Sequence, residues 1–302
     1  MRVVIALGGN ALLKRGQTMT PEHQRENVKV AVRAIAEVIA AGHEVIVTHG
    51  DGPQIGLLAL QEISYDEKLV SPLDVIGAKI DGMIGYVIEQ ELGNLLPQEK
   101  KIAVLLTQIE VNADDPAFMR STKPIGPQYT HTEAEHLAAS RGWDMMPDGE
   151  KFRRAVPSPT PQRVLEAGVI RLLVENGIVV ICAGGGGIPV VRRKDDSYIG
   201  VEAVIDKDHA SQLLANTLQA QALIMLSDVD GVYLGWGTAQ SKRIERATPV
   251  ELSGYSFAEG SMAPKVQAAC AFVRAGGEFA AIGRAEDALA LLQRQSGTVV
   301  AW

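Results

Sequence analysis

The sequence predicts an α/β fold built on an open, mainly parallel central sheet with helices on both faces. Three observations predict it. Short apolar runs recur without alternating polar residues, the pattern of strands buried on both faces. Stretches of helical apolar spacing separate these runs, as in a doubly wound sheet with right-handed crossovers. Glycine-dense segments follow several runs, at the strand ends where open α/β sheets bind ligands.

In chain order, the runs at 3–7, 44–48, 102–107, 178–183, 222–227 and 278–282 are mostly Val- and Ile-rich and read as strands. Between the first two, residues 20–41 carry the best helical pattern. Val28, Val32, Ile35 and Ile39 make one stripe, Thr20 is the candidate N-cap, Pro21 opens the helix and Gly42 follows it. Further helical patterns span 73–92, 161–175, 209–219, 264–274 and 284–295. Residues 111–157 break the rhythm, being rich in Pro, Asp, Lys and Arg with one short helix at 132–141. They read as an excursion from the sheet, a small subdomain or lid.

A chain of 302 residues, 46% hydrophobic and 22% charged, suits one large α/β unit or two tightly joined lobes. Its net charge of −7 lacks the Lys/Arg excess that nucleic-acid binding needs. Cys182 and Cys270 sit in apolar runs and read as buried free thiols of a reducing compartment. The start, MRVVIALGGN, reads as a first strand and not a signal peptide. The longest uncharged run, 178–191, is too short and glycine-rich to span a membrane. The expectation is a cytoplasmic protein with no membrane contact.

The glycine segments carry the chemistry. They are Gly8-Gly9-Asn10, then His49-Gly50-Asp51-Gly52, then Gly184-Gly185-Gly186-Gly187, with a polar turn at Ser227-Asp228-Val229-Asp230 running on to Tyr233. Glycine lets backbone N–H groups close on an anion, and several such loops at strand ends point to a shared phosphate site. The P-loop, dinucleotide and protein-kinase motifs are absent, so phosphoryl transfer here needs another apparatus. That apparatus needs cations on the charge-bearing oxygens. Lys123, Lys207 and Lys265 stand out beside Gly, Pro and Asp, although lysines in general are more often solvated. The six histidines show no metal-ligand spacing, and only His49, in its glycine loop, stays open. The Ser227–Asp230 turn either holds Mg²⁺ or simply closes.

At these residues the chain resembles the carbamate kinases of the amino-acid-kinase superfamily. ALGGNA, THG-x-GPQ-x-G, DPAF, TKPIGP, VPSP, GGGGIPV, GVEAVIDKD, DVDGVY and GSM-x-PK occur in that family's order, from one end of the chain to the other. The resemblance implies one open sheet in two lobes with a protruding subdomain. Residues 1–205 would hold carbamate or carbamoyl phosphate, and 206–302 would hold ATP or ADP with Mg²⁺. It implies a homodimer, with no protein ligands assigned to the metal. Gly8, Gly9 and Asn10 would cradle the transferring phosphoryl group, while Gly50, Gly52 and Gly184 to Gly187 would line the acceptor side. Lys123, Lys207 and Lys265 would neutralise phosphate oxygens, with Asp208 orienting lysines. Ser227, Asp228, Val229, Asp230, Tyr233 and Met262, with Lys265, would serve the nucleotide.

Three positions depart from the family pattern. Asp51 replaces the Asn of HGNGPQ, Thr160 replaces the Lys of SPKP, and the segment before Arg153-Arg154 is shorter. An ionised Asp51 beside an anionic substrate calls for Arg153, Arg154 or a lysine as partner, or for a side chain turned away. Two alternatives follow: the same fold acting on another small carboxylate or phosphate, or a metabolite-binding relative without catalysis.

Overall fold

Alternation of apolar strand and amphipathic helix builds the molecule, a computed structural model that describes residues 1–13, 17–18, 20–66 and 70–302. The chain opens with β1 (Arg2–Leu7), α1 (Gly9–Leu12), α2 (Pro21–Ala40) and β2 (Glu44–His49). Thr20 caps α2 by accepting from the His23 amide, and Gly42 takes the left-handed turn beyond it (φ +86°). Next come α3 (Gly52–Tyr65), α4 (Leu73–Gly93), β3 (Ile102–Leu105) and β4 (Gln108–Val111). The excursion holds β5 (Lys123–Tyr129), α5 (His131–Arg141), β6 (Asp144–Asp148) and β7 (Lys151–Val156). Then follow β8 (Pro161–Val164), α6 (Ala167–Glu175), β9 (Val179–Cys182), β10 (Ile188–Arg192), β11 (Tyr198–Gly200) and α7 (Lys207–Thr217). The last part contains β12 (Ala222–Ser227), β13 (Val232–Leu234), β14 (Lys242–Ile244), β15 (Arg246–Ala247), α8 (Pro249–Leu252), α9 (Met262–Arg274), β16 (Phe279–Arg284), α10 (Ala288–Leu292) and β17 (Thr298–Val300).

The main sheet runs β15-β17-β16-β12-β1-β2-β9-β3. The six strands from β16 to β3 are parallel, and β17 joins that set antiparallel. The chain moves from β1 out through β2 to one edge, then returns to β12 on the other side. The order therefore reverses at β1 and β12, where a doubly wound sheet opens its binding crevice. Pleating sorts the side chains. Val3, Ile5 and Leu7 pack with α2, α4 and α10, whereas Val4 and Ala6 pack with α6, α7 and α9. Both faces are covered, as the unalternating runs require.

The excursion is a three-stranded antiparallel sheet, β5-β7-β6, with α5 beside it. It rests on α3 at one close point: a Cβ on Gly56 would lie 2.0 Å from the Gly126 Cα. Several boundaries differ from the sequence reading. The helix expected at 161–175 splits, because residues 161–164 pair with β4 as β8 and only α6 is helical. The helix expected from 209 begins at Lys207, since the Asp206 carboxylate caps the amides of Asp208 and His209. Helix α3 went unread, its start hidden in a glycine-proline loop. The second sheet, β11-β10-β4-β8, was also unread.

Candidate active site

Three strand ends close on one another at the switch point. The Gly8 amide donates to the Leu226 carbonyl (2.9 Å), and a Cβ on Gly8 would lie 2.7 Å from that oxygen. The Gly50 amide donates to the Leu7 carbonyl (3.0 Å), and a Cβ there would meet the Gly9 nitrogen at 3.1 Å and the Lys207 stem at 3.2 Å. Gly8 and Gly50 are thus required by close approach. Gly9 and Gly52 begin α1 and α3 with open space at the missing Cβ. Asn10 lies in α1, and its side chain falls outside the described residues.

The three predicted lysines gather with carboxylates at the N-terminus of α7. Lys207 Nζ donates to Asp208 Oδ1 (2.5 Å) and Lys265 Nζ to Asp208 Oδ2 (3.0 Å), so one buried carboxylate spaces two buried ammonium groups. Lys123, from the subdomain, reaches Asp206 Oδ2 (2.5 Å). Burial pushes Lys207 down to about 8 against the pull of Asp208. Burial also works against Lys265, but Asp208 outweighs it and raises that lysine. For Asp208, burial is outweighed by the two ammonium groups, which hold it below its ordinary value. Ser211 anchors the helix: its hydroxyl donates to the Lys207 carbonyl (2.6 Å) and shares a hydrogen bond with Thr48 of β2 (2.7 Å).

The four-glycine turn packs over buried polar groups. A Cβ on Gly184 would fall 2.1 Å from Asp81 Oδ1 and 2.4 Å from the His49 ring. On Gly185 it would fall 2.2 Å from Asp51 Oδ2, on Gly186 2.4 Å from the Ile205 carbonyl, and on Gly187 2.7 Å from Ile109. The last three also have φ of +65°, +99° and +82°. Packing and conformation together require every glycine here. Asp51 is 5% exposed, and burial pushes its carboxyl up to about 6 while His49 and Lys123 pull the other way. Neither arginine is its partner: Arg153 Nε donates to the Gly126 carbonyl (2.9 Å) and Arg154 stacks on Trp143 (4.5 Å).

The residues expected on the nucleotide side follow β12. Ser227 Oγ donates to Asp228 Oδ1 (3.1 Å), while Asp230 accepts from Tyr233 Oη (2.9 Å) and Arg243 (3.2 Å). Asp230 therefore closes the turn. Val229 lies within the same turn, and Met262 opens α9 one turn before Lys265. Among the described residues no three His, Cys, Asp or Glu converge as metal ligands, and both oxygens of Asp208 are taken by lysines. A protein-ligated Mg²⁺ does not fit at the centre of the cluster. A cleft of about 730 Å³ lies apart, between α3 and the subdomain, lined by Ile63, Ile76, Trp143, Arg154 and Glu202. It contains none of the three lysines, so the charge cluster and not this volume is the candidate site.

Sequence reasoning missed Asp206 as cap and partner, and Asp81 altogether. The signal for Asp81 was a single carboxylate among apolar residues of a helix, a weak one.

The model of the amino acid kinase family matches residues 1–283 of the chain. A carbamate kinase of Rhizobium meliloti is 53% identical over 302 residues, covering 99% of this chain and 93% of that protein. A carbamate kinase of Haemophilus influenzae is 51% identical over 298 residues, covering 99% and 96%. The solved structure of carbamate kinase from Giardia lamblia bound to AMP-PNP superposes with a TM-score of 0.89 at 37% identity, covering 99% of this chain and 98% of that one.

Proposed function

The chain belongs to the amino acid kinase family, and from that premise we propose that it is a carbamate kinase, a phosphotransferase working reversibly between ATP and carbamate. The observation that carries this is the cluster of Lys207, Lys265 and Asp208 at the switch point, joined by Lys123 from the subdomain. It gathers cations in an acidic protein where phosphoryl oxygens would lie between the glycine ends of β1 and β2.

In the direction of ATP formation, an ADP β-phosphate oxygen attacks the phosphorus of carbamoyl phosphate. The P–O bond to the carbamoyl group breaks and carbamate leaves as an anion, with no proton transferred. The protein's task is to place the partners in line and to neutralise the charge that spreads over the transferring oxygens. Lys207 and Lys265, held apart by Asp208, act on opposite sides of that group, and Lys123 closes from the acceptor side. The amides of Gly9 and Gly52, with Asn10, line the bed, while Gly8 and Gly50, whose amides bond the Leu226 and Leu7 carbonyls, let the strand ends close around it. Residues 1–205 serve the acceptor and 206–302 the nucleotide, with Ser227, Asp228, Tyr233 and Met262 on its side. Mg²⁺ would come on the nucleotide's own phosphates, where it offsets their charge.

The reading extends to a cytoplasmic homodimer. Among the described residues no helix is long and apolar enough to cross a membrane. Val75, Met83 and Tyr86 leave apolar surface exposed on α4, available to a second copy.

A coupled assay tests the activity. With Mg²⁺ and ADP, carbamoyl phosphate should yield ATP and acetyl phosphate little. Turnover of acetyl phosphate with none of carbamoyl phosphate at millimolar concentration would overturn the assignment.

A further inference from the structure

The cleft of about 730 Å³ between α3 and the subdomain takes no part in the chemistry above, yet it is built like a binding site. Small-molecule pockets span roughly 300–1,000 Å³ and combine an apolar lining with a few placed polar groups. The apolar lining here comes from Ala59 and Ile63 of α3 and from Leu73 and Ile76 of α4. Two opposite charges join it from different segments: Arg154 of β7, in the subdomain, and Glu202, between β11 and α7.

Arg154 is held in place without being satisfied. Its guanidinium stacks on Trp143 at 4.5 Å, and Arg141 lies near the same ring at 5.7 Å. Among the described residues Arg154 makes no hydrogen bond and no ion pair. Burial pushes it below the ordinary arginine value, and the opposing pull of Glu202 and Tyr129 does not make up the difference. Glu202 is half used. Its Oε1 accepts from the Leu73 amide (2.9 Å), and it faces Arg154 without pairing with it. The stack on Trp143 anchors one charge and the Leu73 amide the other, so the gap between them stays open.

A guanidinium fixed on an indole with its fork unused is a receptor for a carboxylate, since the fork matches two carboxylate oxygens. The neighbouring Glu202 carboxylate calls for a donor, best a charged one. Beside them the aliphatic lining calls for an apolar group. A carboxylate, an ammonium group and an apolar side chain on one carbon make an α-amino acid.

We propose that this cleft binds a free α-amino acid with an apolar side chain, its carboxylate on Arg154 and its ammonium group on Glu202. The site is separate from the lysine cluster, and it stands whichever acyl phosphate that cluster uses. It reaches the chemistry through the subdomain. Strand β7 pairs with β5, where Lys123 lies opposite Val156, two residues along from Arg154. A ligand bonded to both Arg154 and Glu202 ties the subdomain to the body of the molecule and steadies Lys123 against Asp206.

Calorimetric titration of the full chain with L-leucine tests the site, beside two analogues that each lack one charge, 4-methylpentanoate and 3-methylbutylamine. Leucine should bind once per chain. Each analogue should bind at least about tenfold more weakly, the cost of one lost charge-assisted bond. Arg154→Ala and Glu202→Gln should each weaken leucine by a similar factor. Glu202→Gln keeps an acceptor for the Leu73 amide, so it removes the charge and spares the fold, and melting curves verify both variants. Bound leucine should also slow hydrogen exchange in β5 and β7. No heat from leucine, valine or phenylalanine at millimolar concentration, or equal binding by wild type and both variants, overturns the site. Equal binding of 4-methylpentanoate overturns the amino-acid assignment in favour of a plain anion site. Unchanged exchange in β5 with leucine bound overturns the tie between subdomain and body.

Discussion

Lys207 and Lys265 look like solvated lysines in the sequence and are among the most enclosed charges in the fold, 8% and 9% exposed. Burial changes what their removal means. An exposed lysine costs little to lose, but taking one from Asp208 leaves a buried carboxylate half-compensated, which costs roughly 3–5 kcal/mol. Lys207→Ala should therefore lower both turnover and melting temperature, and activity loss alone would not identify its role. The pH profile does. Wild-type Lys207 sits at about 8, so its neutral fraction grows as pH rises through that value and kcat/KM should fall with it. Lys207→Arg stays charged at any working pH. It should run slower, yet keep its kcat/KM flat to pH 9. A wild-type profile without that alkaline limb would remove Lys207 from the phosphoryl-binding set. The three lysines were legible because each sits among Gly, Pro or Asp. Asp208 was named with them through the resemblance, but the role of Asp206 was not, since it meets Lys123 only once α7 is capped and β5 crosses to it.

At the scale of elements, the subdomain depends on how β5 crosses α3. Gly56 and Gly126 meet backbone to backbone, and Gly126 needs its left-handed φ of +72°. A methyl on Gly56 would stand 2.0 Å from the Gly126 Cα, where no flexible side chain can yield. Gly56→Ala should push β5 off the helix and carry Lys123, three residues upstream of Gly126, away from Asp206. The expected outcome is about 1–3 kcal/mol lost from stability and at least a tenfold fall in kcat/KM. Gly77→Ala, with nothing within 4 Å of the new methyl on α4, is the control and should be neutral or stabilising by roughly 0.5–1 kcal/mol. Equal behaviour of the two variants would refute the crossing as a constraint. The same pair shows why parts of the fold were unreadable. Strands β1, β2, β9, β12 and β16 announce themselves because burial on both faces demands an apolar run. Helix α3 and strand β5 carry glycines and prolines for contacts between distant segments, and local periodicity holds no record of those.

At the scale of the whole molecule, the proposed boundary between acceptor and nucleotide halves falls inside one continuous sheet. Strand β1 pairs with β12 from Val3 opposite Ala222 to Leu7 opposite Leu226. Each core also draws on both halves: Ile35 and Ile181 pack in the same cluster as Ile224 and Phe279, and Ile46 and Cys182 in the same cluster as Phe272 and Ile282. Neither half can lose its structure without exposing apolar side chains of the other. Unfolding should then be a single transition, followed equally by Trp143 in the subdomain and Trp236 beyond β13. A ligand held mainly by one half should stabilise both. ADP at 100 times its Kd contributes about 2.7 kcal/mol by mass action. Hydrogen exchange should slow in β2 and β9 as it does in β12 and β16. Two separate transitions, or slowing confined to residues 206–302, would mean that the halves fold apart and that the shared sheet is only an interface between them.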